Sequence, residues 1–222
     1  MSLAALLGVQ PGLTAIIGGG GKTTLLYALA EELRRRGSVI VTTSTKIRRP
    51  THIPVSDPET PEALGAALAA ASPLCLGSPW PEDKLAAPTL PFAALCGAAD
   101  WVLTEADGAK GLPAKAHASH EPVIPPQAGT VILVLGADAF GRPISEACHR
   151  PALYAALAET TPEAILTPPL AARVIRKEGY GNMIYVNKCE AEADWQNAAA
   201  LAALLNKPVL AGSLHRGVFK NM

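Results

Sequence analysis

Four consecutive glycines, Gly18 to Gly21, constrain the fold of this chain more than any other feature of its sequence. They follow the apolar segment LTAII (13–17) and precede TTLLYALAEELRRR (23–36), in which leucines recur at helical spacing and the last turn is basic. We expect Gly37 to end this helix. The pattern predicts a buried strand that passes through a glycine turn directly into a helix. A turn without Cβ atoms also lets its backbone approach another group closely.

The residues after the glycines indicate what the turn holds. A strand, a glycine-rich turn and a helix with Gly-Lys-Thr at the junction form the phosphate-binding loop of nucleoside triphosphatases. We expect backbone N–H groups of the turn to surround phosphate, with Lys22 on the β- and γ-phosphates and Thr23 on magnesium. The predicted nucleotide-binding positions here are Gly18, Gly19, Gly20, Gly21, Lys22, Thr23 and Thr24. The spacing is unusual, because Ile16 stands where the first glycine of the motif is expected. A flexible turn with an incidental lysine is the alternative.

A second constellation lies in WVLTEADGAKG (101–111), where an apolar strand is followed by carboxylates. Ligand sites in open α/β sheets lie at the carboxyl ends of strands. Alternation places Glu105 and Asp107 on the same side of the strand, so both can face one magnesium ion. We therefore predict Glu105 and Asp107 as metal-binding and catalytic residues, together with Lys22. The alternative is a polar strand end with Asp-Gly as an ordinary turn.

The third constellation is YVNKCE (185–190), an apolar strand that ends in Asn-Lys. It resembles the Asn-Lys-x-Asp motif with which GTPases read guanine, although Glu190 occupies the aspartate position. The interpretation assigns Asn187, Lys188 and Glu190 to the nucleotide base and slightly favours GTP over ATP. A structural turn after a strand is the alternative.

The rest of the chain repeats the alternation of apolar strands and helical patterns that is typical of a parallel sheet. Further strands are predicted at 38–44, 130–137, 183–188 and 207–212, and helices near 59–71 and 194–205. The predicted fold class is α/β, a P-loop NTPase with a mostly parallel sheet and helices on both faces, in a single domain over residues 1–222. No topology is predicted for residues 50–91, which are rich in proline and alanine.

Composition bounds the possible partners. The 19 basic residues balance the 19 acidic residues, so we expect neither a nucleic-acid nor a membrane partner. No apolar run approaches the roughly 20 residues that span a bilayer, and the N-terminus lacks the basic segment of a signal peptide. The four cysteines are scattered without a CxxC pair, which favours reduced thiols. We expect a cytoplasmic protein.

Several polar residues elsewhere are weaker candidates. Each is as compatible with an ordinary surface or strand-end role as with anion or metal binding. Cys148 is more typical of a buried structural cysteine than of a reactive thiol. The other candidates are Thr43, Thr45, Lys46, Lys110, Lys115, His117, His120, Glu121, Asp138, Arg142, His149 and Arg150.

A family resemblance rests on the stretches GGGGKTTLL, TTSTKI, TEADGAKGLPAKAHASHEPVIP, GADAFGRPI, CHRP and VNKCE. Together they make the chain similar, over roughly residues 12–214, to the YqeC-type accessory proteins of selenium-dependent molybdenum hydroxylases. The long EADGAKGLPAKAHASHEP element is absent from generic P-loop proteins. The resemblance implies a nucleotide-driven assembly factor whose partner is a molybdenum hydroxylase client or a selenium or molybdenum cofactor species.

Three functions are compatible with these features. The first is a magnesium-dependent NTPase that uses ATP or GTP, in which Asp107 lies near the attacking water. The second is a kinase that transfers the γ-phosphoryl group to a small molecule held by the 117–121 segment. The third is a nucleotide-switched binding protein that does not hydrolyse its ligand.

Overall fold

The computed structural model describes all residues from Met1 to Met222. The strands are β1 Gly12–Gly18, β2 Val39–Thr43, β3 Lys46–Arg48, β4 Val55–Ser56, β5 Leu74–Leu76, β6 Pro79–Trp80, β7 Lys84–Ala86, β8 Trp101–Glu105, β9 Ala114–Lys115, β10 Ala128–Gly136, β11 Cys148–His149, β12 Met183–Asn187, β13 Val209–Ser213 and β14 Val218–Asn221. The α-helices are α1 Leu3–Leu6, α2 Lys22–Leu33, α3 Pro61–Ala70, α4 Phe92–Ala98, α5 Ile144–Ala147, α6 Pro151–Ala158, α7 Pro168–Glu178 and α8 Glu192–Ala202. The predicted α/β class is confirmed, with a large, mostly parallel sheet flanked by helices.

The chain forms two compact units that are interleaved in sequence. Unit 1 contains Met1–Ile16, Thr23–Gly108 and Val123–Thr130, and unit 2 contains Ile17–Lys22, Ala109–Pro122 and Val131–Met222. The single domain expected over residues 1–222 stays a prediction.

In unit 1 the strands of the large sheet follow the order β1, β8, β2, β5, β4, and all of these neighbours are parallel. Every residue of β2 and of β8 is buried. Strands that are covered on both faces need continuous apolar runs, and VIV and WVL supply them. This packing places the carboxyl end of β8, and therefore Glu105, beside the end of β2 at Thr43.

In unit 2 the order is β10, β12, β13, β14, with β14 antiparallel at the edge. Helix α7 packs against both α6 and α8. It buries Ala171, Ala172, Val174 and Ile175 along one stripe, while its last turn carries Arg176 and Lys177.

The structure differs from the sequence-based prediction in several elements. Helix α2 begins at Lys22 and ends at Leu33, so Gly37 does not end it, and a turn closed by the N–H of Arg36 on the Leu33 carbonyl follows. Within residues 46–86, strands β3, β7 and β6 form a small antiparallel sheet. Strands β9 and β11 form a two-stranded parallel sheet. None of the helices combines the length and the apolar character that a membrane crossing requires.

Candidate nucleotide-binding site

The glycine run forms the turn between β1 and α2, as predicted. Three of its residues have positive φ angles, +95° at Gly18, +80° at Gly20 and +116° at Gly21. Side chains disfavour this region of backbone conformation, and glycine enters it without a steric cost. The backbone conformation of the turn is therefore a sufficient reason for glycine at these three positions.

Close packing imposes a second requirement on the same residues. A Cβ atom on Gly19 would lie 2.6 Å from the Leu112 carbonyl oxygen, and one on Gly20 would collide with the backbone nitrogen of Gly136. On Gly21 it would lie 2.6 Å from Nδ2 of Asn187. The turn is thus packed against the backbone of Leu112 and Gly136 and against the side chain of Asn187.

Two N–H groups of the turn are already engaged. The N–H of Gly19 donates to the Val134 carbonyl at 2.9 Å, and that of Gly20 donates to the Leu112 carbonyl at 3.0 Å. These two N–H groups, which the sequence-based prediction assigns to phosphate, thus donate to backbone carbonyls of unit 2 in this conformation. The first N–H groups of a helix have no acceptor within the helix, so the start of α2 at Lys22 offers donors to an anion.

The side chain of Lys22 folds back onto the glycine turn that precedes it. Its ammonium group donates to the Gly18 carbonyl at 2.8 Å, and the residue is only 5% exposed. The positive charge is therefore held at the glycine turn.

In unit 1, the hydroxyl of Thr23 donates to the Glu105 carboxylate at 2.7 Å. The hydroxyl of Thr43, at the end of β2, donates to the backbone carbonyl of Glu105 at 2.8 Å. These bonds fix a hydroxyl and a carboxylate side by side at the carboxyl end of β8. Such oxygen ligands are the kind that magnesium prefers, so the residues fit the predicted ion. Thr24, the next residue of α2, is exposed.

Asp107 is fully buried, two residues after the end of β8. Glu105 is 7% exposed. An aspartate in an ordinary solvent-facing turn would be exposed, so the burial of Asp107 disfavours that alternative. Lys110, in contrast, is exposed.

The three residues predicted to read a base have different surroundings. Asn187 is buried and donates from Nδ2 to the Gly20 carbonyl at 2.9 Å, and its Oδ1 accepts the Tyr185 hydroxyl at 3.0 Å. Lys188 pairs with Asp138 at 2.7 Å. Glu190 is exposed and accepts a bond from the Ser213 hydroxyl at 3.2 Å. Asn187 therefore braces the glycine turn, whatever its role toward a base.

The 115–121 segment makes an ion-pair cluster in unit 2. The Glu121 carboxylate lies 2.9 Å from the ammonium of Lys115 and 2.9 Å from the guanidinium of Arg150. Burial raises the pKa of Glu121, but the bonds and charges of the two cations outweigh it and hold that pKa below its usual value. Burial, together with Lys115 and Arg150, lowers the pKa of His149.

His117 belongs to a separate pair. Its Nδ1 lies 2.8 Å from the Glu178 carboxylate, and its ring meets that of Tyr180 edge-on at 5.3 Å. His120 is exposed. The sequence suggests residues 117–121 as an acceptor site. In the structure His117 and Glu121 of this segment are both engaged in ion pairs within unit 2.

The cysteines match their predicted state. All four are free, and burial raises the pKa of Cys148 to about 12. A thiol with that pKa stays protonated at neutral pH and is a poor nucleophile.

Sequence reasoning missed a charged cavity in unit 1. About 270 Å³ in volume, it is lined by Thr23, Tyr27, Arg48, Arg49 and His52 among others. Its sequence signal is the Arg-Arg pair at the end of β3, Arg48 and Arg49.

Comparison with known protein sequences identifies a matching family and a relative of this chain. The sequence model of a family described as YqeC protein matches residues 14–152, which include the glycine turn, Thr23 and both carboxylates. An uncharacterized protein YqeC of Escherichia coli (strain K12) is 43% identical over 68 residues, which are 30% of this chain and 27% of that protein. The alignment therefore spans about a quarter of that relative's length. Since the family match extends over more than half of its residues, this chain belongs to the YqeC protein family.

Proposed function

We propose that this protein binds a nucleoside triphosphate with magnesium and hydrolyses it. The proposal rests above all on the hydrogen bond between the Thr23 hydroxyl and the Glu105 carboxylate. Thr23 directly follows Lys22, which itself follows the glycine turn. A hydroxyl at the start of a helix and a carboxylate at the end of a strand are the two protein ligands that P-loop proteins give to magnesium. A glycine turn alone would support anion binding and no more.

Each residue has a distinct task in this function. Lys22 neutralises the β- and γ-phosphates, and Thr23 and Glu105 hold the metal. Bound magnesium supplies further charge neutralisation on the phosphate oxygens. Asp107 orients the attacking water from a buried position in which its carboxylate is well shielded from solvent. Positioning and electrostatic stabilisation then account for most of the rate.

The resemblance to the accessory proteins of selenium-dependent molybdenum hydroxylases supports a biological role. We infer that nucleotide turnover serves the maturation of selenium-dependent molybdenum hydroxylases in the cytoplasm. The partner is the hydroxylase client or a selenium or molybdenum cofactor species. Family membership and the EADGAKGLPAKAHASHEP element support this role.

Phosphoryl transfer to a second molecule is the other candidate. The cavity that includes Thr23 favours it, because an acceptor has to lie beside the metal and the γ-phosphate. The 117–121 segment is a poorer acceptor site, because the side chains of His117 and Glu121 are already paired, with Glu178 and with Lys115 respectively.

Calorimetry with ATP and GTP on the Lys22→Ala variant tests the nucleotide assignment. We expect binding of both triphosphates to be lost, because the charge held at the glycine turn is removed. The matched control is Lys220→Ala, which removes an exposed lysine of β14 and leaves binding unchanged. Equal affinity in Lys22→Ala and wild type would remove the assignment. Phosphate release without an acceptor separates hydrolysis from phosphoryl transfer.

A further inference from the structure

The cavity that Thr23 lines is positively charged. Arg48 and Arg49 both line it, whereas no aspartate or glutamate does. Neither guanidinium group takes part in a salt bridge within unit 1, in contrast to Arg34, which pairs with Glu31 at 2.8 Å. Two neighbouring cations without a carboxylate favour an anionic ligand.

The two arginines are held in place by the small antiparallel sheet. Arg48 is the last residue of β3 and lies opposite Lys84 of β7. The N–H of Arg49 donates to the Asp83 carbonyl at 3.0 Å. The backbone that presents both guanidinium groups is therefore fixed, which lowers the entropic cost of binding.

A second cavity, of about 520 Å³, lies next to the first and shares Tyr27 and His52 with it. These two rings meet edge-on with their centroids 4.6 Å apart. The second cavity is lined in part by the apolar residues Ile53, Pro54 and Ala71. Its own charges, those of Glu31 and Arg34, neutralise each other.

We propose that the two cavities bind one small organic anion, whose phosphate or carboxylate group pairs with Arg48 and Arg49 and whose apolar body lies beyond Tyr27 and His52. The site is distinct from the glycine turn. Its use rests on the proposed nucleotide binding and on phosphoryl transfer, the second candidate function, since a ligand in this cavity lies beside Thr23 and is thereby placed to act as the phosphoryl acceptor.

Titration calorimetry with phenyl phosphate and with benzoate tests the site, with neutral phenol as the reference. We expect at least one of the two anions to bind wild type, and to bind about tenfold more weakly to the double variant Arg48→Gln/Arg49→Gln. Arg35→Ala removes an exposed arginine outside both cavities and should leave the affinity unchanged. Arg49→Gln alone gives a smaller loss and serves if the double variant is unstable.

The Lys22→Ala variant separates this site from the glycine turn. We expect it to bind the anion as tightly as wild type does. Loss of the anion in Lys22→Ala would place it in the glycine turn and overturn the proposal, as would the absence of binding for both anions, equal affinity in the arginine variants, or equal affinity for phenol. Failure of the nucleotide assignment appears separately, as unchanged ATP and GTP affinity in Lys22→Ala.

Discussion

Replacing Asn187 with alanine removes the side chain that braces the glycine turn in unit 2. Its amide donates to the Gly20 carbonyl at 2.9 Å and accepts the Tyr185 hydroxyl at 3.0 Å and the N–H of Leu214 at 3.4 Å. Gly20 and Tyr185 are buried. Burial also raises the pKa of Tyr185, so its hydroxyl stays protonated and keeps the role of donor.

The loss of stability can be estimated from the polar groups that lose their hydrogen-bond partner. A buried polar group left without a hydrogen bond costs about 1–3 kcal/mol. The Gly20 carbonyl and the Tyr185 hydroxyl both enter that state, and partial relaxation keeps the total below the sum. We expect Asn187→Ala to lower the free energy of unfolding by about 2–4 kcal/mol. For a chain of this length the melting temperature then falls by about 5–15 °C.

Thermal and urea denaturation measure this loss, and Asn206→Ala is the matched control because Asn206 is exposed in a turn. Nucleotide titrations of the same variant add a second test. A weakened turn should reduce the affinities for ATP and GTP by a similar factor. An unchanged melting temperature, combined with a loss confined to GTP, would show that Asn187 reads the base and does not brace the turn.

Three further predictions concern other residues. Asp107→Asn should keep nucleotide affinity and slow phosphate release about 100-fold or more; unchanged turnover would exclude Asp107 from catalysis. If Glu190 accepts the guanine N–H groups, GTP should bind about tenfold to a hundredfold more tightly than ATP, and Glu190→Ala should erase the difference in competition binding; equal wild-type affinities would refute base reading. Glu121→Gln should lower the melting temperature at pH 7. Because the folded-state pKa of Glu121 lies below its ordinary value of 4.5, its contribution is fully present above pH 4.5 and is lost as the pH falls through that lowered pKa. A gap between wild type and Glu121→Gln that persists in acid would contradict the ion-pair explanation.

The α/β class and the phosphate-loop candidate could be read from the sequence because their signals are local. Strands β1, β2, β8 and β10 are continuous apolar runs, and glycines next to Lys22 mark a strand-to-helix turn. These patterns depend on backbone conformation and burial, which neighbouring residues encode. The short strands β3, β6 and β7 were missed because they are two or three residues long, too short to show a period.

The partners of polar side chains were decided by the tertiary structure. Asn187 bonds to the carbonyl of Gly20, 167 residues away, and His117 pairs with Glu178 across 61 residues. Sequence spacing carries no information about such pairs, since they exist only once distant strands and helices have packed. The same holds for the cavity of Arg48 and Arg49, because its walls come from α2, from the last residue of β3 and from the segment after it. Sequence alone therefore determined where phosphate is expected and which carboxylates lie at the end of β8 and just after it. Only the folded chain decided which polar groups support the glycine turn and which cations line the cavity that includes Thr23.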